Sequence, residues 1–131
     1  MPMLQIALLL IWAALLFGGY FFGGKTGRRM PRWTRLGSSL ILVLAAMVPL
    51  INLPRGSYGN FAFFVFVGMT FGFLGDLFLA RVIPFPQPVL GGMASFALGH
   101  IAYIVGGLGL GNAMGLNAPL PRALALAAWL L

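Results

Sequence analysis

Four apolar runs, at residues 4–22, 36–53, 60–82 and 89–111, set the limits on what this chain can fold into. At roughly 1.5 Å of helix per residue, each is about as long as the hydrocarbon core of a bilayer is thick. A backbone in lipid must satisfy its own polar groups, so runs of this kind cross as helices. The expected fold class is therefore all-α: a single membrane domain built as a polytopic transmembrane helix bundle, with four complete spans. Composition agrees, because 61% hydrophobic residues, 7% charged residues and a mean hydropathy of +1.03 leave too little charge to cover a soluble surface. Residues 123–131 add only about nine apolar residues, roughly 13 Å of helix, which reads as a fifth span begun but not completed. The sequence is expected to be part of a longer chain, a short re-entrant end being the alternative.

The first run is followed, not preceded, by positive charge, which argues for a retained helix over a cleaved leader. In the second run, Pro49 is expected to kink the helix near its end. Pro84, Pro86 and Pro88 close the third run, and Pro119 and Pro121 punctuate the connection over residues 112–122.

The net charge of +7 invites a nucleic-acid reading. Yet Lys25, Arg28, Arg29, Arg32 and Arg35 cluster between two apolar runs, where anionic headgroups are the natural counter-charge, and nucleic acid is not an expected partner. With Arg81, one set of loops holds six of the eight basic residues; Arg55 and Arg122 are the other two. That imbalance places the six in the cytoplasm and the N-terminus outside.

The sequence has one acid, Asp76, and one histidine, His100, both inside apolar runs. An ionised carboxylate in hydrocarbon costs about 2.5–3.5 kcal/mol on insertion scales, so such a residue marks a functional site more often than a structural one. Desolvation favours the neutral acid, which can donate a proton. The structural alternative is a pairing with Arg81, five residues on. Gly68 and Gly72 flank the Asp76 face as a GxxxG pair that admits a close neighbour. Gly92, Phe96, His100 and Tyr103 follow the spacing GxxxFxxxHxxY along one helix stripe, beside Gly92, Gly99 and Gly106 at intervals of seven. His100 reads equally as a functional group or as one bonded to a nearby carbonyl, and Phe96 and Tyr103 read first as packing or interfacial residues. By helical rise, Asp76 and His100 lie at different depths, a polar track and not a contacting dyad. Ser38 and Ser39 are expected to hydrogen-bond between helices. The absence of cysteine removes thiol chemistry, and one histidine with one acid is too small a set for zinc, so no metal or cofactor is expected.

Taken together, Gly75–Asp76, Leu79, a short loop, and then Gly92, Phe96, His100 and Tyr103 resemble the YhhN-like lysoplasmalogenase family, over about a quarter of the chain. The resemblance implies an eight-helix membrane fold, with this sequence as its N-terminal half. It also implies hydrolysis of the vinyl-ether bond of a lysophospholipid substrate, the lysoplasmalogen, to a fatty aldehyde and a glycerophospho-alcohol. Asp76 matches the family's first acidic position. Asp76 and His100 are the expected catalytic residues, and Gly75, Phe96 and Tyr103 the expected substrate-binding ones. Lys25, Arg28 and Arg29 are candidates to hold the phosphate. The family's second intramembrane aspartate lies beyond this sequence, and its early lysine–proline feature is not reproduced, since Thr26 follows Lys25. The implied setting is a bacterial inner (plasma) membrane, with membrane lipids and a second copy of the chain as further partners. The competing readings are a proton-coupled transporter or channel fragment and a non-catalytic membrane subunit.

Overall fold

The computed structural model describes residues 2–21 and 30–130. Among them there are five helices and no strand: α1 (Pro2–Phe21), α2 (Arg32–Asn52), α3 (Ser57–Leu79), α4 (Pro88–Ala113) and α5 (Pro119–Leu130). The first four are long and apolar enough to cross a membrane. Lys25, Arg28 and Arg29 lie outside the described residues.

Several boundaries differ from those read in the sequence, each for a local reason. α2 starts at Arg32, four residues earlier than its apolar run, because helix formation follows Pro31 and does not wait for the charges to end. Arg32 and Arg35 are thus helical residues and not loop residues. α3 stops at Leu79, where Ala80 caps it and Arg81 turns into the left-handed region at φ 57°. Arg81 N–H donates to Phe78 O (2.9 Å) and Val82 N–H to Leu77 O (3.0 Å), the double bond pattern of a Schellman cap. α4 takes Pro88 into its first turn, and α5 takes both Pro119 and Pro121, so these prolines open helices where the sequence reading had them punctuate a loop.

The helices pack in chain order, α1 on α2, α2 on α3 and α3 on α4, and among the described residues α1 and α4 do not meet. The buried residues are small: Ala45, Ala46, Ala62, Ala80 and Ala102, with Thr34, Ser38 and Ser95. Large side chains such as Leu10, Ile51 and Met93 face outward. This inversion of a soluble core is expected in lipid, where tails solvate leucine as well as protein does and only close packing of small residues gains contact.

The α3–α4 pair carries this furthest. A Cβ added at Gly75 would fall 2.8 Å from the Phe96 ring, and one at Gly68 would enter the Tyr103 ring. In the other direction, Gly91 receives Phe78, Gly92 receives Leu79, and Gly106 receives Phe64. At Gly99 the backbones themselves approach, with the Gly68 carbonyl 3.0 Å from where a Cβ would stand. Gly68 and Gly75 are seven residues apart, as are Phe96 and Tyr103, so each side chain of one helix drops into a notch of the other in coiled-coil register. The seven-residue glycine spacing in α4 is a close helix contact, as the sequence indicates. On α3 the notches are Gly68 and Gly75 instead of the GxxxG pair, for Gly72 has open space around it.

Candidate functional site

Asp76 lies on the last two turns of α3, at the end facing the start of α2. Its side chain is 19% exposed, and its partners come from α2. Ser39 hydrogen-bonds to Oδ2, and Arg35 Nε stands 3.9 Å from Oδ1. That separation is an ion pair without a hydrogen bond, and Arg35 Nε is itself buried with no hydrogen-bond partner among the described residues. Arg35 and Ser39 are four residues apart, so one face of α2 delivers both to the same carboxyl.

Ser39 Oγ is within reach of two acceptors, Asp76 Oδ2 and the Arg35 carbonyl at 3.0 Å, but a hydroxyl has one proton. With Asp76 ionised, Ser39 donates to the carboxylate. With Asp76 protonated, the acid donates to Ser39 Oγ and Ser39 donates to the Arg35 carbonyl. Both protonation states of Asp76 are satisfied without moving a heavy atom.

Arg35 also lines a cleft of about 880 Å³ with Met30, Pro31, Arg32, Leu79, Ala80 and Arg81. Three guanidinium-bearing residues from the start of α2 and the end of α3 thus meet at one end of the bundle, beside the only acid. Met30 and Pro31 continue into smaller apolar clefts, one of about 200 Å³ lined by Leu15, Gly19 and Trp33 and another of about 340 Å³ lined by Leu16, Phe17 and Tyr20.

The other residues singled out in the sequence fall elsewhere. Gly75 is buried under Phe96, and Tyr103 packs on Gly68, so all three serve the α3–α4 seam. His100 is on the outward side of α4: its Nδ1 is 2.7 Å from the Phe96 carbonyl on its own helix, and its ring meets Tyr103 edge-on at 6.1 Å. Gly99 packs at the level of Gly68, so His100 stands about two turns, roughly 12 Å, from Asp76 along the pair. The structure does not bring the two together.

Two expectations about Asp76 change. It is not a lone carboxyl in apolar surroundings, because Arg35 and Ser39 attend it, and its cationic neighbour is Arg35 instead of Arg81. The signal for Arg35 was available: if α2 begins after Pro31, the only acid in the chain has a cation and a hydroxyl at i, i+4 spacing to meet it. Arg35 also belongs to a basic cluster between two apolar runs, where charge reads as a topology signal, and that masks the pair. Ser39 bonds between helices, as expected, whereas Ser38 is buried and donates to the Arg35 carbonyl of its own helix. Among the described residues, no group of three metal-ligating side chains occurs.

These features define a class: an α-helical polytopic membrane protein with one carboxyl held between two spans at the edge of an arginine-lined cleft. Residues 30–131 match the model of the YhhN family, and the chain belongs to that family. No curated protein and no solved structure matches the chain significantly.

Proposed function

We propose that this protein is a membrane-embedded hydrolase that cleaves the vinyl-ether bond of a lysoplasmalogen. The observation that carries the reading is the Asp76–Ser39–Arg35 cluster, in which the chain's only acid has hydrogen-bond partners in both its protonated and its ionised form. A group that must give a proton and take one back needs both states to be tolerated. Family membership and the meeting of an arginine cleft with apolar clefts, a layout suited to an anionic amphiphile, support it further.

In this mechanism Asp76 protonates the outer vinyl carbon, using the π electrons of the double bond to form the new C–H bond. The resulting oxocarbenium ion is captured by water, whose released proton returns to Asp76. The hemiacetal then breaks its C–O bond to the glycerol as its hydroxyl proton passes to the leaving oxygen, giving the fatty aldehyde and the glycerophospho-alcohol. Ser39 follows the proton inventory of the carboxyl. Arg35, close to Oδ1 but not hydrogen-bonded to it, stabilises the carboxylate left after protonation of the alkene. None of these steps requires His100. The arginine-bearing end is cytoplasmic by the charge imbalance between loops, and the reactive bond sits at headgroup depth, where water is at hand.

The test is bond selectivity. Purified protein in nanodiscs releases aldehyde from an alk-1-enyl lysophosphatidylethanolamine and leaves the saturated alkyl-ether analogue intact, with slower release in deuterated water because proton transfer to carbon limits the rate. Equal turnover of both ethers, or of neither, contradicts the reading.

A further inference from the structure

The chain contains one side-chain carboxylate and Arg35 shares it, so Arg32 and Arg81 have no acidic side chain left to pair with. All three arginines line the same cleft. Their placement adds to the surplus of positive charge. Arg32 and Arg35 sit on the first turn of α2, which has no acid and no side-chain cap, so their charges lie at the positive end of the helix dipole, where a cation is unfavourable. The first-turn N–H groups of α2 also lack helical carbonyl partners.

Arg81 supplies an independent observation. It occupies the left-handed position of the α3 cap at φ 57°, a place where glycine is favoured and an L side chain is strained. A residue serving only to end the helix would do so better as glycine. Keeping an arginine there costs backbone energy and puts a third arginine on the lining of the cleft.

We propose that Arg32, Arg35 and Arg81 form a phosphate-binding site for the headgroup of a single-chain phospholipid, with the chain of the lipid in the adjoining apolar clefts. This deepens the hydrolase reading and rests on it for the choice of lipid. It also moves phosphate binding from Lys25, Arg28 and Arg29 to Arg32 and Arg35 on α2 and Arg81 at the α3 cap. Because Arg35 faces both the cleft and the carboxyl, a bound phosphate competes with Asp76 for its guanidinium and couples headgroup docking to the acid.

The test measures binding without turnover, using an acyl lysophosphatidylethanolamine, which has no vinyl ether, and the intact protein in detergent. The lipid is expected to bind, a monoacylglycerol of the same chain length to bind at least about tenfold more weakly, and inorganic phosphate at the same concentration not to compete. Arg81→Gly is expected to raise Tm by a few degrees through relief of the strained φ, while weakening the lysophospholipid about tenfold and leaving the monoacylglycerol unchanged. Arg32→Gln weakens the phospholipid in the same selective way. Equal affinity for the phosphate-free lipid, or an Arg81→Gly variant that keeps wild-type affinity, overturns the site. Competition by free phosphate as strong as by the lipid reassigns it to a soluble anion and overturns the headgroup. Absence of aldehyde release would sink the hydrolase and leave this binding result standing.

Discussion

The two faces of α3 are built on opposite principles. Toward α4 it is a dry seam in which glycine notches and aromatic or aliphatic side chains alternate, from Gly75 with Phe96 to Gly106 with Phe64. Toward α2, near its end, it presents Asp76 to Arg35 and Ser39, with an ion pair at 3.9 Å whose buried guanidinium nitrogen makes no hydrogen bond among the described residues. The first seam is held by close contact, which lipid cannot replace and which leaves no room for chemistry. The second gives up packing for a set of polar groups whose protons can be rearranged. One helix thus joins a close-packed support to a polar edge.

The largest effect that would break this comparison is overfilling the dry seam. Gly68→Leu forces a branched side chain into the Tyr103 ring and is expected to cost about 3 kcal/mol or more, seen as a large fall in Tm in detergent and loss of the monodisperse protein. Gly72→Leu, at a position with open space, is expected to leave Tm nearly unchanged, so the pair distinguishes a specific notch from a general intolerance of bulk. On the polar side, Ser39→Ala removes the group that tracks the Asp76 proton. It is expected to lower the rate of aldehyde release about tenfold while changing Tm little, in contrast to Gly68→Leu. The smallest effect belongs to His100. Being outward-facing and bonded to its own helix, it is expected to tolerate glutamine with stability changes within about 0.5 kcal/mol and a rate within about twofold of wild type. A large loss of turnover in His100→Gln would draw α4 into the polar edge.

The fold was largely legible because its signals are long-range in sequence and single-valued in physics: a run of about 20 apolar residues has one solution in a bilayer. The seven-residue spacing of Gly92, Gly99 and Gly106 likewise announced a close contact before the partner helix was known. What it did not reveal was which side chains fill the notches, since Phe96 and Tyr103 look the same whether they bind substrate or a glycine on α3. The polar track read between Asp76 and His100 has its two groups at different depths, as read, but on different sides of the helix pair, for a rotational reason. A stripe spanning about 80° of a helix can have its two edges on different neighbours, and His100 lies past the edge that α3 covers. Arg35 was hidden by its position at a helix start, where positive charge serves both topology and pairing. Arg81 was visible as a charge, but the left-handed backbone that gives it meaning arises from the Schellman cap and has no sequence signature when the residue is not glycine.

The central claim is that the carboxyl between α2 and α3 transfers the proton, and the most direct measurement is aldehyde release from an alk-1-enyl lysophosphatidylethanolamine by the Asp76→Asn protein. Asparagine keeps the size of the side chain and can still bond to Ser39, so the fold should survive. The account predicts at least about a 100-fold loss of rate with Tm close to wild type and lysophospholipid binding no weaker than wild type, since the competitor for Arg35 is removed. A variant that releases aldehyde at the wild-type rate would contradict it.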